Sequence, residues 1–170
     1  MRGWAGRMAG RGGGRTRGFT LLEILIAVAI VGVLATLAVP ALLRPVVRDQ
    51  VVASAPLIDL AKKQVAAVWA ATQALPANNA AAALPAPAQM VGNYVSAVTV
   101  TDGVIDITFG NGANREIAGK VLTIRPAVVE DAPVVPIAWV CAFAPVPERM
   151  TAHGENRTTI PRSALPLNCI

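Results

Sequence analysis

The sequence predicts an α+β fold: a long N-terminal α-helix, apolar in its first half, packed by its second half on a roughly four-stranded antiparallel sheet. Three observations carry this. Ile24 through Leu43 is an unbroken run of twenty residues without a charge. Between Pro56 and Ala74 the apolar residues recur at three- and four-residue steps, the spacing of one helix face. From Asn93 onward the period falls to two, with Asp102-Gly103 between β-branched alternating runs, a strong short hairpin signal.

The bulk composition agrees with a domain carrying an apolar segment. The 170 residues hold one modest domain plus an anchor, and 54% hydrophobic with 15% charged is too apolar for an ordinary soluble domain. A net charge of +5 and a pI near 10.0 would ordinarily point to nucleic acid. Here Arg2, Arg7, Arg11, Arg15 and Arg17 supply all the excess before residue 18, leaving ten basic and ten acidic residues from 19 onward. Basic residues flanking an apolar run orient it with that end on the cytoplasmic side of a membrane.

The chain divides into six segments. Residues 1–18 are a basic leader of glycine and arginine without apolar periodicity, expected to be disordered, in which Met8 is an alternative start to Met1. Residues 19–43 are a transmembrane or assembly helix; twenty residues at a 1.5 Å rise span about 30 Å, the thickness of bilayer hydrocarbon. A secretory signal peptide has a shorter apolar core, and Thr36-Leu37-Ala38 is a poor cleavage site. A plain anchor fits the length but leaves Glu23 unexplained, because a carboxylate within the bilayer costs about 2.5–3.5 kcal/mol at its centre and needs a partner. Pro40 and Pro45 are expected to interrupt or kink the helix, and Gly32 lies a little over two turns before Pro40.

Residues 44–75 are expected to form the amphipathic helical half, with Leu57, Ile58, Ala61, Val65, Val68 and Trp69 on the packed face and Pro56 opening a turn between the halves. Residues 76–92, rich in Ala, Pro and Asn, form a connecting loop. The sheet is expected over 93–145, with strands at Tyr94–Thr101, Val104–Phe109, Val121–Ile124 and Ile137–Cys141. Residues 146–170 form a turn-rich tail. Cys141 and Cys169 can form one disulfide if this part of the chain is exported. Their spacing fits no zinc pattern, and a lone His153 adds no metal site.

Gly18-Phe19-Thr20-Leu21-Leu22-Glu23, followed by the long apolar run, resembles the processing motif of type IV prepilins. The Trp139-Val140-Cys141 strand and the Pro166-x-x-Cys169 tail resemble the disulfide-bounded C-terminal region of the same family. The resemblance implies a structural subunit without cofactor. A membrane prepilin peptidase and methyltransferase would cut between Gly18 and Phe19 and methylate Phe19. Glu23 would then face the amine of Phe19 in a neighbouring subunit, and Gly32 and Pro40 would be the helix-loosening positions. It further implies a helical homo-oligomeric filament, membrane lipid around the precursor, assembly machinery in the inner membrane and an outer-membrane secretin. The fibre would serve adhesion, twitching motility or DNA uptake. The leader is longer than the commonest ones of that family.

Two rivals remain open. A type II secretion pseudopilin would share the N-terminal motif, although the terminal disulfide favours a pilus subunit. A DNA-binding competence pilin would need an exposed basic cluster, and Arg149, Arg157 and Arg162 are interleaved with Glu148 and Glu155. No nucleophile–base pair, metalloprotease motif or phosphate loop is present, so no enzyme is expected; Gly12-Gly13-Gly14 belongs to the leader. Glu130-Asp131 read as solvated surface, and Asn156-Arg157-Thr158 matches a glycosylation pattern too short to carry weight.

Overall fold

The computed structural model describes residues 18–132 and 134–170, with the side chains of residues 37–44 outside that description. The leader expected over 1–18 therefore lies outside it except for Gly18. The chain forms two compact units, 1–39 and 40–170, divided within the first helix.

Helix α1 runs Leu21–Val52 and continues through Gly32, Pro40 and Pro45. The expected interruption at the two prolines does not occur. One proline removes one backbone donor, while the bonds on either side still hold the turn. The break falls at Ala53 and Ser54, beside Pro56, where a turn between the halves is expected. The Ser54 hydroxyl donates to the Val51 carbonyl at 2.6 Å and its backbone N–H to the same oxygen at 3.2 Å. Pro56 has no N–H to offer the Val52 carbonyl, and together with the Ser54 bonds back to Val51 this ends the first helix. Pro56 fits the first turn of α2, Ala55–Thr72, where an N–H would have no partner anyway. Gln73 ends α2 in the left-handed region at φ 58°, donating its N–H to Trp69 O at 2.8 Å.

In the second unit the sheet is antiparallel, with strands β1 Val95–Thr101, β2 Val104–Phe109, β3 Val121–Val128 and β4 Ala138–Cys141 in sequential order. Asp102 and Gly103 sit at φ 48° and 78°, the two positive values a two-residue hairpin turn requires. A short fifth strand, β5 Thr151–Ala152, pairs with the far end of β3, one strand more than the four expected. Strand β3 runs four residues past the expected Ile124 and contains Pro126. The Pro126 carbonyl accepts the His153 N–H at 2.8 Å. Its nitrogen faces that same edge, beyond the end of β2, where the ladder does not need its missing donor.

The core lies between one sheet face and the helices. Ile58, Ala61 and Val65 of α2, with Val47 and Val51 of α1, are buried with Ile105, Ile107, Phe109, Leu122 and Ile124. Leu57 and Trp69 are partly buried. The loop after α2 lies along the outer edge of β1. Asn79, 4% exposed, donates to the carbonyls of Val98 at 2.9 Å and Pro85 at 3.0 Å and accepts the Val100 N–H at 2.7 Å. One side chain thus completes the hydrogen bonding of an edge strand that would otherwise be open to pairing.

Candidate functional site

The N-terminal end is built by a helix start. Thr20 precedes α1, and its hydroxyl accepts the Glu23 N–H at 3.2 Å while its carbonyl accepts the Ile24 N–H at 3.3 Å. This is the side-chain cap that the orphan donors of a helix start call for. Gly18, Phe19 and Thr20 lie outside the helix and are exposed. Glu23 stands in the first turn, where a carboxylate suits the positive end of the helix dipole. Among the described residues, no hydrogen bond or ion pair reaches its carboxylate.

Every described side chain from residue 18 to 36 is exposed, including Phe19 at 76% and Leu21 at 84%. Leu22, Ile24, Leu25, Ile26, Val28, Ile30, Val31, Val33 and Leu34 share that state, so the helix is apolar on all sides and not along one stripe. Such a surface needs a cover of lipid or protein. Among the described residues no helix is long and apolar enough to cross a membrane. The charge-free run expected to do so extends into residues 37–44, whose side chains lie outside the description. Among the described residues, and apart from chain neighbours and the helix's own backbone, no atom lies within 4 Å of where a Cβ on Gly18 or Gly32 would stand.

The second unit carries a stapled tail. Cys141 and Cys169 are disulfide-bonded with Cα atoms 4.7 Å apart. The Phe143 N–H donates to the Cys169 carbonyl at 3.0 Å, and the Arg162 guanidinium lies 4.3 Å from the Phe143 ring centroid. Upstream, the tail crosses the sheet face opposite the helices. Asp106, 8% exposed, accepts the Thr123 hydroxyl at 2.7 Å and pairs with Arg157 at 2.8 Å; the Arg157 N–H reaches Thr123 Oγ1 at 3.1 Å. Gly154, at φ 77°, sits directly against Val104. Asn156 spends its amide on the Ala142 carbonyl at 2.8 Å and the Thr158 N–H at 3.1 Å, so the glycosylation pattern there falls on an internally bonded side chain.

The sequence-predicted residues thus separate. Gly18, Phe19 and Glu23 come together at the start of α1, Gly32 lies mid-helix, the side chain of Pro40 lies outside the description, and the two cysteines close the tail of the other unit. Among the described residues, no three His, Cys, Asp or Glu side chains gather to hold a metal ion. Thr20 and Asp106 carry more of the architecture than their sequence context showed. For Thr20 a signal existed: threonine followed three residues later by glutamate before an apolar run marks a helix start. Asp106 had no signal beyond being an acid inside an alternating strand.

A helix apolar on every side, joined in sequence to a disulfide-stapled α+β head, defines a subunit that completes itself by assembly. The comparisons agree. The family model described as pilin, a bacterial filament protein, matches residues 47–170, and the prokaryotic N-terminal methylation motif matches residues 14–39. The chain belongs to the pilin family. It is 32% identical over 159 residues to type IV major pilin protein PilE1 of Neisseria gonorrhoeae, covering 90% of this chain and 86% of that protein. It is 36% identical over 109 residues to the fimbrial protein of Neisseria meningitidis serogroup A, covering 64% of each. It is 33% identical over 131 residues to fimbrial protein EcpC of Eikenella corrodens, covering 74% of this chain and 82% of that one. The chain is therefore a structural pilus subunit, one of many in a filament, and its methylation motif implies a prepilin peptidase.

Proposed function

We propose that this subunit is made as an inner-membrane precursor, cut between Gly18 and Phe19, methylated at Phe19 and polymerised through its N-terminal helix into a surface type IV pilus. The observation that carries the reading is the exposed apolar stretch of residues 19–36, helical from Leu21, with one carboxylate, Glu23, in its first turn. Lipid covers that surface before assembly, and neighbouring helices cover it afterwards. The cut creates an ammonium at Phe19. In the low-dielectric fibre core an ammonium and a carboxylate attract strongly, and leaving either unpaired is costly. The pair sets the register of one subunit against the next, as a single buried polar residue does in a coiled coil. The heads and their stapled tails form the outer surface.

Glu23→Ala tests this directly. The variant is cut to mature size but yields few fibres. Wild-type fibre numbers from it would reject the register argument. Gly18→Leu leaves an uncut precursor, because a bulky side chain at the scissile junction is refused by the peptidase. A mature-sized band would reject the cleavage site.

A further inference from the structure

We infer that Thr20 is a positioning residue for assembly, whose hydroxyl fixes the start of α1 and so holds both charges of the intersubunit pair. The inference rests on the reading that Glu23 pairs with the Phe19 amine of a neighbour. Thr20 lies between those two groups in the chain. Its hydroxyl bonds the Glu23 N–H and its carbonyl bonds the Ile24 N–H, which closes the first turn around the residue bearing the carboxylate. Phe19, one residue earlier, is left outside the helix and exposed, with its nitrogen ahead of the helix end and not inside the backbone ladder.

The surroundings make the hydroxyl matter more than at an ordinary surface helix. The first four N–H groups of a helix have no intrahelical partner. At a wet surface, water replaces a lost cap. Among apolar neighbours in a bilayer or a fibre core little water is at hand, and an unpaired donor is costly there. Without the Thr20 oxygen the first turn opens, and the carboxylate and the amine lose their fixed separation together. A valine has the same shape as threonine but no acceptor; a serine keeps the acceptor.

The test compares full-length Thr20→Val and Thr20→Ser expressed with the native peptidase. Three readings are taken: the processed band, the number of sheared fibres, and amide hydrogen exchange at Glu23 in the detergent-solubilised mature chain. Thr20→Val is processed normally, exchanges the Glu23 amide roughly two- to thirty-fold faster, and loses fibres, whereas Thr20→Ser matches wild type in all three. Faster exchange with wild-type fibre numbers would overturn the inference while leaving the role of Glu23 intact. Equal fibre loss in the serine and valine variants, or a block at the processing step, would also overturn it. Wild-type fibres from Glu23→Ala would instead remove the reading on which it rests.

Discussion

Asn79→Ala removes the side chain that completes the edge of β1. Three hydrogen bonds go with it, to Val98 O, Pro85 O and Val100 N–H at 2.9, 3.0 and 2.7 Å. At about 1 kcal/mol net for each, the loss is about 3 kcal/mol. Val98 and Val100 are 0% and 2% exposed, so water does not readily replace the lost partner, and the two stranded backbone groups raise the cost toward about 5 kcal/mol. The assay is urea unfolding of the mature chain in detergent, followed by tryptophan fluorescence. With a slope of about 2 kcal/mol per molar, the midpoint falls by about 1.5–2.5 M. Asn79→Asp is at least as damaging, because a carboxylate oxygen then faces the two carbonyls that the amide served. A midpoint shift below about 0.3 M for Asn79→Ala would refute the claim that this residue holds the loop to the sheet.

Other substitutions test the tail. Cys141→Ser with Cys169→Ser opens a loop of sequence separation 28 and lowers stability by about 3.5 kcal/mol on chain-entropy grounds, measured by the same unfolding with reduced wild type as the control. Arg157→Ala strips a partner from the nearly buried Asp106; with the guanidinium itself 43% exposed, the loss is about 1–3 kcal/mol, read as a lower melting temperature. Adding Asn to replace Asp106 recovers part of that loss, since the uncompensated charge is removed; no recovery would show that the charge is not what the arginine serves. Gly154→Ala combines a left-handed backbone with a clash against Val104 and costs about 2–4 kcal/mol, again by melting.

What the sequence carried depended on whether a local pattern decided the outcome. The Asp102-Gly103 hairpin, the antiparallel pairing of β1 to β4 and the packed Ile58, Ala61 and Val65 follow from turn chemistry and period, and they appear as expected. Proline is ambiguous as a signal: Pro40 and Pro45, expected to interrupt the helix, lie within it, whereas Pro56 stands at the expected turn between the halves, after Ser54 has closed the first. Helix α2 ends before Pro76 on a left-handed Gln73, without the glycine that would have announced it. Strand β5 is two residues long, and Asp106 finds Arg157 only once the tail has crossed the sheet, so neither leaves a local trace. At the N-terminal end, Gly18, Phe19 and Glu23 are legible as a motif. Thr20 lies within that motif, and its capping role emerges from the hydrogen bond it makes.

The most direct test of the whole account is mass spectrometry of the subunit N-terminus in filaments sheared from cells. The account predicts fibres whose subunit begins at a methylated Phe19 and retains the Cys141–Cys169 bond. Fibre subunits that begin at Met1 or Met8, or that carry an unmodified terminus elsewhere in the apolar run, would contradict it.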